Sequence, residues 1–127
     1  MAGLFGFVGR PRGTAAEKLG EKLRSVLHQS PYEKIDLRTE RDACLGVVHL
    51  GLLHPEIQPA HDPATGTRLV LDGEISEPDA LAARLRTAGV AVPEGASEPD
   101  LLLALYLAQG PGAFADLDGN WAVAIVD

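Results

Sequence analysis

Apolar positions along the chain change spacing from one stretch to the next, and each spacing names an element. Gly3 to Val8 is apolar and glycine-rich, which predicts a buried first strand with residue 2 close to the core. From Ala15 to Leu27 the apolar residues Ala16, Leu19, Leu23, Val26 and Leu27 fall at helical intervals, with Glu17, Lys18, Glu21 and Lys22 between them. Thr14-Ala-Ala-Glu17 has the form of a capping box for that helix. His28 to Pro31 ends it, because a residue before proline resists the helical region. Lys34 to Leu37 alternates and predicts a short strand, Thr39 to Asp42 a polar turn, and Cys44 to Leu50 a firm strand. Gly51 to Gly66 holds Pro55, Pro59 and Pro63 and predicts a long loop, a feature often tied to function.

The second half continues in the same way. Arg68 to Leu71 predicts a strand, with Asp72-Gly73 as the turn that follows. Pro78 suits the first turn of a helix running to about Ala88, where Gly89 stops it. Ser97 caps a further helix whose apolar stripe is Leu101, Leu102 and Leu105, ending at Gly110. Pro111 to Phe114 forms one helical turn, and Trp121 to Val126 a last strand. Strands and helices do not alternate regularly, so the expected class is α+β in layers rather than a parallel array.

Composition narrows the setting. The 127 residues predict one domain, 1–127, and 46% apolar residues suffice for a core. A net charge of −7, with 11 basic residues that do not cluster beyond Arg10 and Arg12, argues against a nucleic-acid or anionic-membrane surface. A single cysteine, Cys44, points to a reducing, cytoplasmic compartment. No stretch has the length of a membrane span, and no basic region precedes the apolar start as in a secretory signal.

Candidate chemistry is sparse. His49, His54 and His61 with Asp62 are the residues a metal would use, but their spacing fits no metal motif and no metal site is expected. Asp72 and Glu74 flank a glycine and read as a turn before they read as a catalytic carboxylate pair. Cys44 lies in an apolar strand without a basic neighbour and reads as an inert buried thiol. Gly6-Phe-Val-Gly9 lacks the lysine and spacing of a phosphate loop. Residue 2 is the place where some enzymes put a nucleophile beside its own terminal amine; here it is Ala2, a methyl group.

Three segments together resemble the glutaminase domain of class II glutamine amidotransferases, as found at the N-terminus of asparagine synthetase. Met1-Ala-Gly-Leu-Phe-Gly-Phe-Val-Gly9 is similar to the family's Met-Cys-Gly-Ile-x-Gly opening. Leu69-Val-Leu-Asp-Gly-Glu-Ile-Ser76 is similar to its strand ending in Asn-Gly-Glu-Ile-Tyr-Asn. Ser97 to Tyr106, with Leu117 to Asp127, is similar to its Asp-x-Glu helix and its Gly-Met-Phe-Ala-Phe-x-x-x-Asp strand. The resemblance implies an N-terminal-nucleophile hydrolase-like αββα sandwich of two antiparallel sheets between helix layers, here without the family's final strands.

In that family a cysteine at position 2 attacks the glutamine amide, an asparagine and a glycine N–H stabilise the oxyanion, an arginine holds the carboxylate and an acid holds the amine. By position, the nucleophile is Ala2, the arginine falls on or next to His49, the asparagine is Asp72, and the amine-binding acid is Glu98. Gly73 and Glu74 are retained. The family's His-Arg-Gly-Pro-Asp loop stands as His28-Gln-Ser-Pro-Tyr32. A carboxylate at Asp72 repels an oxyanion, and a histidine is a weak substitute for a bidentate guanidinium clamp. The resemblance therefore implies a vestigial pocket of Ala2, His49, Asp72, Gly73, Glu74 and Glu98 with no catalytic residue, as in the degenerate domains of β-lactam synthetases and lasso-peptide cyclases. It implies a scaffold or docking module for an ATP-dependent amide-forming synthetase domain. ATP and magnesium would belong to that partner, since this chain has no Ser-Gly-Gly-x-Asp-Ser loop. Open sheet edges would also admit a second copy of the chain. Two alternatives remain at the level of sequence: an active glutamine-hydrolysing domain whose natural residue 2 is cysteine, and a module binding an amino acid or amine.

Overall fold

A computed structural model of the chain describes residues 2–127. The elements run β1 (Gly3–Val8), α1 (Thr14–Leu27), β2 (Lys34–Glu40), β3 (Ala43–His49), β4 (Ala60–His61), β5 (Arg68–Ile75), α2 (Pro78–Thr87), α3 (Glu98–Gln109), a 3-10 turn at Pro111–Phe114, and β6 (Gly119–Val126). They form two three-stranded antiparallel sheets, ordered β1-β3-β2 and β4-β5-β6.

Alternation along β5 builds the layers. Leu69, Leu71 and Ile75 point into a core with Leu81 and Leu85 of α2 and Leu101, Leu102 and Leu105 of α3. Val70 points the other way, against Leu45 and Val47 of β3. Each fully buried leucine contributes about 2 kcal/mol of transfer free energy. Helix α1 lies on β2 and β3, on the far side of the first sheet. Gly20 permits that approach: a Cβ there would sit 2.8 Å from Thr39 Oγ1 and 3.4 Å from Cys44 Sγ. The order of layers is thus helix, sheet, sheet, helix pair, an α+β domain.

Several expectations change. The first strand is half-buried to exposed rather than buried: β1 is an edge strand, Val8 is 71% exposed, and Ala2 is exposed rather than near the core. The central strand is β3, buried from Ala43 to Val48. The capping box at Thr14 does not form; the cap is Gly13, whose carbonyl accepts from Ala16 and Glu17, with no side-chain cap. Of the α1 stripe, Val26 is exposed and Ala16 and Gly20 are the buried positions. The strand at Lys34 runs on to Glu40, so only Arg41 and Asp42 turn the chain. The long loop contains the two-residue strand β4.

The largest change is at Asp72-Gly73, which is strand and not turn. β5 continues to Ile75 because Gly73, at φ 97°, lets β6 come close: a Cβ there would lie 2.0 Å from the Asn120 carbonyl oxygen. The cap at Ser97 forms as expected, its hydroxyl accepting from the Asp100 N–H.

Candidate functional site

A cavity of about 140 Å³ opens where Ala2, the end of β3 and the middle of β5 meet the segment His49 to His54. Ala2, His49, Leu50, Leu52, Leu53, His54, Gln58, Leu71, Asp72 and Gly73 line it, with Gly51. Its surface is mostly apolar, from the leucines, and Leu50, Leu52 and Leu53 are themselves more than half exposed.

Side chains from the long loop hold this wall in place. β4 is too short to reach Leu71, so the buried Gln58 completes the ladder with its amide. Its Nε2 donates to the Leu71 carbonyl (3.1 Å), and its Oε1 accepts from the Leu71 N–H (2.8 Å). Two residues on, His54 Nε2 donates to the Gly73 carbonyl at 2.6 Å. Since a carbonyl only accepts, this nitrogen carries the proton, and the other, Nδ1, stands 3.4 Å from Glu56 Oε1. Asp36 ties the first sheet to the loop: its Oδ2 accepts from the Gln58 N–H at 3.0 Å and lies 3.2 Å from His49 Nε2. His49 Nδ1 is buried without a hydrogen-bond partner among the described residues.

The six residues expected to form a vestigial pocket are divided by the structure. Ala2, His49, Asp72 and Gly73 line one cavity. Glu74 is exposed and lines none of it. Glu98, at the start of α3, turns its carboxylate to the backbone: Oε2 accepts from the Ile75 N–H at 2.9 Å, near the end of β5. Asp72 is half-buried and has no hydrogen-bond or ion-pair partner among the described residues. The segment His28 to Tyr32 lies elsewhere, with Gln29 and Ser30 N–H groups donating to Glu33 and Tyr32 79% exposed. Cys44 is buried on the α1 side of its sheet.

The histidines are spread over different tasks. His49 faces Asp36, His54 holds Gly73, and His61 sits in β4 opposite Arg68. Among the described residues no three of His, Cys, Asp or Glu converge as a metal would require. Asp62 belongs to a turn, its Oδ2 accepting from the Thr65 N–H and hydroxyl, and these bonds hold its carboxyl below the ordinary value.

Sequence reasoning missed Gln58 and His54 as structural latches and the leucines of the loop as lining. The leucines were visible as apolar residues inside a proline-punctuated loop. Gln58 left no signal, because its role depends on the early end of β4.

With this geometry in view, comparison with protein families gives a match to the glutamine amidotransferase domain over residues 1–127. The chain belongs to that family. A search of curated proteins found no match. For a glutamine amidotransferase domain, this cavity has a notable lining: it includes no hydroxyl or thiol among the described residues. Its ionisable side chains among the described residues are one carboxylate and two imidazoles.

Proposed function

We propose that this amidotransferase domain does not hydrolyse glutamine. It serves as a non-catalytic module for an ATP-dependent amide-forming synthetase domain, in the manner of degenerate asparagine-synthetase-like ligases. On this reading its layers are those of the N-terminal-nucleophile hydrolase sandwich, retained as a scaffold.

The observation that carries the reading is the lining of the cavity. Covalent hydrolysis of an amide needs a nucleophile within reach of the carbonyl carbon. Residue 2 offers a methyl group, and the lining supplies no substitute. Two further points support the same reading. By the family resemblance Asp72 stands at the oxyanion position, where its negative charge would oppose that of a tetrahedral intermediate. No lysine or arginine lines the cavity, so an α-carboxylate has no clamp.

Docking is supported by the surface beside the pocket. Leu52 is 81% exposed and Ile57 86%, on a loop otherwise latched to both sheets. Edge strands β1 and β6 contain no charged residue, and charges are the usual guard against edge pairing. The synthetase domain is the occupant proposed for this side.

Glutamine titrated into the unaltered chain, with glutamate release followed in parallel, tests the reading. No saturable binding and no release are expected. Either saturable binding at the cavity or release above the protein-free rate overturns it.

A further inference from the structure

The cavity combines an apolar wall with one carboxylate, and both point to a ligand. Its size, about 140 Å³, corresponds to about five waters at about 30 Å³ each. Leu50, Leu52, Leu53 and Leu71 make it suited to a short branched hydrocarbon. Asp72 adds a single carboxylate without an internal partner.

The sign of the local charge does not depend on the state of the histidines. A protonated His49 is balanced by Asp36, and a protonated His54 by Glu56. Asp72 has no ion-pair partner among the described residues whichever state the histidines are in. Lys34 lies against Gly51, but it lines the neighbouring groove of α1 and β2 rather than this cavity. A chain of net charge −7 also draws cations toward it.

We propose that the cavity binds a small aliphatic primary amine. The ammonium lies on Asp72, the alkyl body lies among the leucines, and the matching α-amino acid is rejected. An amino acid brings a carboxylate into a cavity that already has one and has no lysine or arginine side chain to hold the second. The proposal rests on the reading that this pocket performs no glutamine chemistry, and it adds the ligand class.

The experiment is a titration of the isotope-labelled chain followed by amide NMR shifts. The probes are isoamylamine, isoamyl alcohol and leucine, which share a branched body and differ in charge. Expected are saturable shifts at Gly51, Leu52, Asp72 and Gly73 with isoamylamine. The alcohol and leucine should bind at least about tenfold more weakly, the scale of one charge-assisted hydrogen bond. Asp72→Asn should reduce the amine to the affinity of the alcohol. The proposal is overturned if the alcohol or leucine matches the amine, if the shifts lie away from the cavity, or if Asp72→Asn leaves amine affinity unchanged. Should that variant fail to fold, the three probes on the unaltered chain still decide. Failure here with no glutamine binding leaves the non-catalytic reading standing, whereas glutamine binding and turnover remove that reading itself.

Discussion

Gly73 shows how one residue serves both the sheet and the pocket. Its backbone is in the left-handed half of conformational space, at φ 97°, where side chains are strained. A Cβ would also meet the Asn120 carbonyl oxygen at 2.0 Å and Trp121 Cα at 2.9 Å, both backbone atoms that cannot swing aside. Gly73→Ala is expected to cost about 2 kcal/mol or more, through strain and displacement of β6 together. Chemical denaturation of the variant checks this, and an unchanged midpoint would contradict it. From the sequence, Asp-Gly was a turn signal; only the partner strand, distant in the chain, makes the glycine a strand residue.

Acid sensitivity also belongs at this scale. Hydrogen bonds from the Thr65 hydroxyl and N–H lower the Asp62 carboxyl below its ordinary 3.8. At Glu40 burial pushes upward, but the Arg38 hydrogen bond and the charges of Arg38 and Arg68 outweigh it and leave the carboxyl below 4.5. A folded value below the unfolded one means stability that is present above the unfolded value and lost as pH falls through the folded one. Thermal melts of the unaltered chain should therefore decline below about pH 4.5, the upper of the two ordinary values. Asp62→Asn should flatten the lower part of that decline. A decline of the same slope in the variant would show that this turn does not contribute.

Among the elements, β5 is the one that both halves of the fold share. It pairs with β6 along its full length and with β4 at only two positions, and the gap is filled by Gln58 and His54. Gln58→Ala would leave the Leu71 N–H and carbonyl buried and unpaired, at about 1–3 kcal/mol for each group. The expected result is a lower melting temperature together with faster amide exchange at Leu71. Protection at Leu71 equal to that of the unaltered chain would contradict the latch. Elements were legible where local chemistry decides them. The stripe Leu101, Leu102 and Leu105 and the cap at Ser97 placed α3 closely, and Gly89 and Gly110 marked helix ends. The two-residue β4 and the full length of β5 were not legible, since each depends on a partner strand.

At the scale of the whole molecule, the order of strands and helices predicted an α+β layered class, and the two antiparallel sheets have that form. Burial of the first strand is less than its apolar sequence predicts. An apolar opening looked buried, yet β1 and β6 are edge strands whose apolar residues face each other across a groove lined by Leu4, Phe7, Ala124 and Val126. Hydrophobicity records that a surface is covered but not by which neighbour, so it does not separate an edge strand in a groove from a central one. The site was half legible. Ala2, His49, Asp72 and Gly73 meet in one cavity, whereas Glu98 instead caps the backbone of β5, a use that spacing alone does not reveal.

On the proposed reading, this glutamine amidotransferase domain lacks more than a nucleophile. The most direct test is glutamate release from glutamine by Ala2→Cys, with removal of the initiating methionine verified by intact mass. With Asp72 expected to oppose an oxyanion and no lysine or arginine lining the cavity to clamp a carboxylate, the variant is predicted to release glutamate no faster than the unaltered chain. Sustained turnover by that single variant would mean that the pocket is intact and would contradict the account.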